Sequence, residues 1–213
     1  MSELTLHHFG ESSASYRVRL ALELKALPYA SVLVNIRGGE HRQPAYGKTN
    51  PQRLVPCLTV AGHEALGQSN AIVEYLEETH PTPALLPRDP HERARARSLV
   101  QQIASDVSPF QKTTLQLFLK KRYALTDRDI ADWLEFWVHR GLKSVEAFAA
   151  QALEKRAYLF GDSPGIVECS VIPQLHNLHK WGISTAALPA LLELEKRCAA
   201  LPAFSAAHPR EWR

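Results

Sequence analysis

The sequence predicts an α/β layer followed by an all-helical unit, and three observations carry that reading. Over roughly the first eighty residues, alternating apolar runs and helical stripes succeed one another as strand, helix, strand, loop, hairpin, helix. Pro81-Thr-Pro-Ala-Leu-Leu-Pro87 then sets three prolines in seven residues, a semi-rigid connector suited to a domain boundary. Beyond it the apolar residues recur with the helical period and show little β-branched alternation. The expected units are residues 1–83, α/β, and residues 88–213, all α.

Leu4-Thr-Leu-His-His8 alternates as a short strand does, and Ser12-Ser13 precede a helical stripe from Tyr16 to Ala26 that Pro28 ends. Ser31-Val-Leu-Val34 is β-branched and apolar enough to predict a second, more buried strand. Gly38-Gly39 opens a polar loop that runs to Asn50-Pro51, long enough to suggest a functional role. Val55 to Val60 and Glu64 to Leu66 flank Ala61-Gly62-His63, the pattern of a hairpin. Ser69 starts a helix with Ala71, Ile72, Tyr75 and Leu76 on its apolar face, stopped by Thr79-His80-Pro81. The remainder predicts helices near 90–121, 127–153, 165–180 and 188–201, with a kink or break at Pro109.

Composition narrows the function classes. The 213 residues are 45% hydrophobic and 22% charged, which describes a folded chain rather than a disordered one. Lys and Arg number 25 against 22 acidic residues, a net +3 too mild and too interspersed to mark a nucleic-acid or lipid surface. No apolar run approaches the roughly 20 residues of a membrane span. Met1 to Gly10 shows neither the basic nor the apolar region of a secretory signal. Cys57, Cys169 and Cys198 are odd in number and widely spaced, as reduced thiols are, so a cytoplasmic location is expected. No Cys-x-x-Cys occurs, and His176 and His179 lack further nearby ligands, so neither a metal site nor a redox dithiol is expected.

Several residues in the first unit could carry chemistry. A proline cannot donate a ladder hydrogen bond, so Val55-Pro56 at the opening of a strand leaves the Val55 backbone able to turn outward to another peptide. Gln68-Ser69 stands at a helix start, where Ser69 serves as a cap and free N–H groups attract a carboxylate. Ser12-Ser13 holds the equivalent place before the first helix, with Arg17 and Arg19 in its early turns to help attract an anion. Two helix N-termini and a free backbone edge suit a small anionic peptide. Trp133 and Trp137, four apart on one helix, read as packing residues.

Four ordered motifs, spanning nearly the whole chain, resemble the zeta-class glutathione transferases, which include the maleylacetoacetate and maleylpyruvate isomerases. They are Ser12-Ser-Ala-Ser-Tyr-Arg-Val-Arg-Leu-Ala-Leu22; Asn50-Pro-Gln-Arg-Leu-Val-Pro56; Gln68-Ser-Asn-Ala-Ile-Val-Glu-Tyr-Leu-Glu-Glu78 with His80-Pro-Thr-Pro-Ala-Leu-Leu-Pro87; and Gly161-Asp-Ser-Pro with Val171-Ile-Pro-Gln174. The resemblance implies the glutathione transferase fold, a thioredoxin-like N-terminal domain with a C-terminal helical bundle, and a homodimer. It implies that Ser12 or Ser13 activates the thiol of glutathione, that Arg17 belongs to the same site, that Val55 and Pro56 present the docking edge for its cysteinyl backbone, and that Gln68 and Ser69 hold its γ-glutamyl end. His41 falls at the glycine end. Ser108, Lys112, Thr113, Thr114 and Lys180 fall on the substrate wall. A hydroxyl donor plus a helix N-terminus favours the thiolate of a thiol that otherwise titrates near pH 8.5.

The chain departs from the family pattern at several of these places. Ala14 stands where the family carries Cys, Glu11 where Arg is frequent, and Lys180 where Arg follows the Pro-Gln helix turn. Lys pairs with a carboxylate but lacks the planar fork of Arg. Gly165-Ile-Val-Glu168 replaces a Thr-x-x-Asp helix start, with Glu168 placed to reach back to the cap N–H. The expected activity is glutathione-dependent cis–trans isomerisation of maleylacetoacetate-type dicarboxylates. The alternatives are a transferase conjugating small electrophiles such as haloacids and aryl halides, with the isomerase reaction lost, and a non-catalytic glutathione or ligand binder.

Overall fold

The computed structural model describes residues 3–212. Their chain forms two compact units, one of residues up to Leu85 together with those from Ala199 onward, the other Leu86–Cys198.

In the first unit β1 (Leu4–His8) is the pivot of a four-stranded sheet of order β2-β1-β3-β4. It pairs in parallel with β2 (Ala30–Leu33) and antiparallel with β3 (Cys57–Val60), which continues into β4 (Leu66–Gly67) through the expected hairpin. The alternation read in Leu4–His8 is the alternation of burial along β1. Between β1 and β2 runs α1 (Ser13–Leu24), and α3 (Ser69–Thr79) follows β4, buried on Ile72, Val73 and Leu76. The parallel pair β1–β2 needs a crossover, which α1 supplies, whereas the antiparallel pair β3–β4 needs only a short turn.

Three expectations change. The strand near Ser31 is exposed along its length, with Val32 and Leu33 open to solvent, because β2 lies at the sheet edge with β1 as its single neighbour. The polar stretch after Gly39 is not plain loop; it folds into a 3-10 turn (Glu40–Arg42) and α2 (Pro44–Thr49), which Pro44 opens at the helix position where a missing N–H costs nothing. The chain from Ala199 onward groups with the first unit instead of extending the second to its end. The cause is α9 (Pro202–Ala207), which packs on α1.

The second unit holds α4 (Pro90–Gln102), α5 (Thr113–Tyr123), α6 (Asp127–Leu153), α7 (Ile166–Trp181) and α8 (Pro189–Ala199). The helix expected over 90–121 is broken around Pro109. A π-helical turn (Ile103–Val107) and a 3-10 turn (Ser108–Gln111) take up the hydrogen bonding that a proline inside the helix disrupts. Gly141 of α6 lets that turn come close: a Cβ there would lie 2.3 Å from Val107 Cγ2. Thr126 and Asp129 cap α6 reciprocally, Thr126 Oγ1 accepting from the Asp129 N–H at 3.2 Å and the Asp129 carboxylate from the Thr126 N–H at 2.7 Å. At the start of α7 the buried Glu168 carboxylate accepts the Gly165 N–H at 2.8 Å, as read from the sequence, and also the Leu159 N–H at 2.9 Å.

Candidate functional site

Ser12 is the N-cap of α1, with extended backbone and its Oγ accepting the Ser15 N–H at 3.2 Å. That bond fixes the hydroxyl rotamer and uses the oxygen as acceptor, so the O–H proton remains to be donated elsewhere. Ser13 opens the helix half-exposed, and its hydroxyl has no partner among the described residues. The first N–H groups of α1 add the positive end of its dipole at the same place.

Arg17 does not present its charge to a free surface. It is 4% exposed, and its Nη1 donates to Ser69 Oγ at 2.7 Å, joining the opening turns of α1 and α3. Arg19, also read as an anion-attracting cation, is wholly buried and directed at backbone carbonyls instead. Gln68 precedes α3 with φ 64°, in the left-handed region that non-glycine residues seldom enter, and its Nε2 donates to Gln52 Oε1 at 2.8 Å. Backbone in that region persists where the surrounding contacts over-determine it.

The Val55–Pro56 peptide is cis, and neither the N–H nor the C=O of Val55 has a hydrogen-bond partner among the described residues. The segment before it is held firmly: the Leu54 carbonyl accepts from Tyr46 Oη and from Asn50 Nδ2, each at 2.8 Å. Pro56 is buried. His41 sits in the 3-10 turn Glu40–Arg42 with Nδ1 buried and unpartnered, and burial, then the neighbouring Arg42 charge, holds its pKa below the usual histidine value. Among the described residues His41 forms no hydrogen bond with the two serines or with Gln68 and Ser69. Tyr46 and Asn50 hold the segment before Val55, and Gln52 holds Gln68; the Asn50-Pro51 turn was their one signal in the sequence.

Glu11, standing where the family often carries Arg, is paired. Its carboxylate accepts from Arg37 at 2.8 Å, and that guanidinium lies 5.7 Å from the Phe9 ring centre. The cysteines are free and buried, with the Cys57 thiol pushed up to about 11 by desolvation, so none competes as a nucleophile. Among the described residues no group of three or more His, Cys, Asp and Glu side chains is arranged to hold a metal ion.

In the second unit, Ser108 begins the 3-10 turn and its Oγ accepts from Gln174 Nε2 of α7 at 3.2 Å. Three residues along each element, Asn177 Nδ2 donates to Gln111 Oε1 at 3.2 Å. Gln111 Nε2 and Gln174 Oε1 are buried with no partner, which leaves a donor and an acceptor beside Ser108. Lys112 caps α5, and Thr113 and Thr114 open it, all exposed. Lys180 is exposed near the C-terminal end of α7, three residues beyond Asn177. The turn is anchored by aromatics: Phe110 stacks on Trp137 at 4.2 Å, and Trp133 Nε1 donates to the Phe110 carbonyl at 3.4 Å. The two tryptophans are packing residues that fix the segment carrying Ser108, while Gln111, Gln174 and Asn177 were not foreseen as its neighbours.

The family model of the glutathione S-transferase N-terminal domain matches residues 11–79, the stretch from the α1 cap to the end of α3. A maleylacetoacetate isomerase of Pseudomonas aeruginosa is 41% identical over 208 residues, covering 97% of this chain and 96% of its own. This chain belongs to the maleylacetoacetate isomerase family of glutathione transferases. A maleylpyruvate isomerase of a Ralstonia species is 34% identical, with 97% of both chains covered. The solved holo structure of a maleylpyruvate isomerase, described as a bacterial zeta-class glutathione S-transferase, superposes with a TM-score of 0.91 at 34% identity over 96% of both chains. A maleylacetoacetate isomerase from Anaeromyxobacter dehalogenans, solved with glutathione in its active site, gives a TM-score of 0.86 at 36% identity, covering 98% of this chain and 97% of that one. The expected fold, a thioredoxin-like N-terminal part with a helical remainder, is therefore the fold of this chain.

Proposed function

We propose that this protein catalyses the glutathione-dependent cis–trans isomerisation of a maleylacetoacetate-type dicarboxylate. The observation that carries the reading is the Arg17–Ser69 hydrogen bond, which fixes the start of α3 to that of α1 and its Ser12 cap. The residues present suit glutathione: the unpartnered Val55 N–H and C=O match an extended peptide, and the buried, unpartnered Nδ1 of His41 offers one more polar contact. Ser69, Gln68 and the first N–H groups of α3 suit a carboxylate. When bound, glutathione supplies a thiolate that adds reversibly to the conjugated carbon, allowing the former double bond to rotate before elimination restores it as trans.

The chain's own work is to hold that thiolate and orient the substrate. The Ser12 O–H donates toward the sulfur, and the α1 N-terminus with the Ser13 N–H adds a fixed positive potential, both favouring the ionised thiol. Ser108, Lys112, Thr113, Thr114 and Lys180 are the groups proposed for the substrate's carboxylates and carbonyl; Ser108, already accepting from Gln174, keeps its proton to donate. Pairing of Glu11 with Arg37 leaves no unpaired anion at that position to oppose a dicarboxylate. A homodimer located in the cytoplasm is part of the same proposal, supported by the family likeness and the reduced cysteines. No helix among the described residues is long and apolar enough to cross a membrane. Turnover of maleylacetone measured beside conjugation of a chloronitrobenzene tests the reading: isomerisation is expected to dominate, and conjugation without isomerisation would move the protein to the broad-electrophile class.

A further inference from the structure

The segment between β1 and Ser12 is held from beneath by a buried cation and from above by the chain's last described turn. Arg19 lies wholly inside the first unit and spends its fork on two distant stretches: Nη2 donates to the Gly10 carbonyl and Nε to the Ala207 carbonyl, each at 2.9 Å. Nη1 meets His8 Nδ1 at 3.1 Å. A guanidinium has no acceptor, so Nδ1 accepts, the ring is neutral, and its Nε2–H donates to Ser31 Oγ at 2.8 Å. Burial, then the Arg19 charge, then His7 hold the His8 pKa down to about 3, in keeping with a ring that stays uncharged.

The 3-10 turn Pro209–Trp212 closes over this arrangement. The Trp212 ring is edge-on to His8 at 4.9 Å and 5.7 Å from the Arg19 guanidinium, and its Nε1 donates to the Ala206 carbonyl at 3.2 Å. The Trp212 carbonyl passes so near Gly10 that a Cβ there would lie 2.0 Å from it. Gly10 is two residues before the Ser12 cap, and the Ser12 N–H itself donates to the Phe9 carbonyl at 3.1 Å. The neighbouring Phe9 N–H is tied back to Ser15 Oγ at 3.4 Å.

We propose that Arg19 and Trp212 are positioning residues for the Ser12 hydroxyl, so that the C-terminal turn, far away in sequence, sets the acidity of the bound thiol. The inference rests on the proposed glutathione reading. Displacing the Trp212 turn frees the Gly10 carbonyl side of the β1–α1 connection and lets the cap hydroxyl swing, while Val55 and Ser69 keep their places. An ångström of misplacement at a reacting group can cost up to about a hundredfold in rate.

The test uses the full chain as wild type, Trp212→Ala, Trp212→Phe and Gly10→Ala. Three quantities are read: the pH titration of glutathione thiolate absorbance on the enzyme, kcat and KM for glutathione, and thermal unfolding. Trp212→Ala and Gly10→Ala are expected to raise the bound thiol's pKa by about one unit and lower kcat about tenfold, with KM for glutathione within about twofold. Trp212→Phe, which keeps a ring over Arg19, restores both. Should Trp212→Ala fail to fold, Trp212→Phe and Gly10→Ala decide on their own. Wild-type thiol pKa and kcat in the folded Gly10→Ala variant would overturn the inference, as would equal loss of kcat and affinity tracking stability alone. If the wild-type enzyme shows no thiolate on binding glutathione, the functional reading itself fails and this inference with it.

Discussion

Arg17 on α1 donates its Nη1 proton to the hydroxyl of Ser69, fifty-two residues later, at 2.7 Å and in a buried position. This bond sets where the N-terminus of α3 stands relative to α1, and a charged donor to a hydroxyl is among the stronger hydrogen bonds in a protein. Arg17→Lys retains the charge but shortens the reach and loses the planar fork. Glutathione binding, followed by titration calorimetry, is expected to weaken about tenfold, close to 1.4 kcal/mol, with unfolding stability falling less than in Arg17→Ala. Unchanged affinity in the folded Lys variant would remove Ser69 from the binding site.

The two serines separate by their structural duties. Ser12→Ala removes a helix cap and is expected to cost about 1 kcal/mol of stability, in addition to its effect on the thiol. Ser13→Ala deletes an unpartnered hydroxyl and is expected to stay within about 0.5 kcal/mol of wild type, so any fall in its rate reports the thiol directly. Urea unfolding beside steady-state kinetics checks both; a Ser12→Ala variant with full stability would contradict the capping geometry.

Stability is expected to fall as acid charges the histidines. His8 has a folded pKa of about 3 against an ordinary value of 6.5, so below 6.5 the unfolded chain binds a proton that the native one refuses. Stability from this group is complete above pH 6.5 and declines as pH falls toward 3, with a limiting slope of about 1.4 kcal/mol per pH unit. His7 and His41, both lowered by burial, act in the same direction. His8→Gln, which keeps an acceptor for Arg19, is expected to flatten the dependence between pH 4 and 6 in denaturant titrations; an unaltered slope would mean that His8 is protonated in the native state.

Glu168 is fully enclosed and binds two backbone donors, the N–H groups of Leu159 and Gly165, at 2.9 and 2.8 Å. Burial raises its pKa while those bonds oppose the rise. Glu168→Ala strands both donors in the interior and is expected to destabilise the second unit by about 3 kcal/mol. Glutathione affinity, which the proposed site assigns to the first unit, is expected to be kept in the fraction that remains folded. Thermal unfolding with and without glutathione measures the two effects separately.

Much of this was legible in the residues and some was not, for physical reasons. The 3.6-residue periodicity of 127–153 carries enough turns for α6 to be read to its ends, and Glu168 three residues into its helix announced the reach back to Gly165. Val32 and Leu33 looked like part of a core strand because β-branched and apolar residues are shared by central and edge strands; position in the sheet is a tertiary fact. Arg17 and Arg19 are indistinguishable from surface cations by sequence, since a helix that buries both faces shows no polar stripe to place them. The return of residues 202–212 to α1 had no periodic signal, being one short helix and one turn. At the candidate site, residue types and spacing marked the serines, Val55 and Gln68-Ser69 as candidates, whereas the pairs Gln52–Gln68, Gln111–Asn177 and Glu11–Arg37 join segments whose separation in sequence carries no hint of contact.

The central claim is that a hydroxyl at the α1 cap makes this chain a glutathione-dependent isomerase. The direct measurement is cis-to-trans conversion of maleylacetone, followed spectroscopically with and without glutathione, in wild type, Ser12→Ala and the Ser12→Ala, Ser13→Ala double variant. Turnover that requires glutathione and falls at least a hundredfold in the folded double variant is the expected result. Full turnover in the double variant, or none in a wild-type enzyme that binds glutathione, would contradict the account.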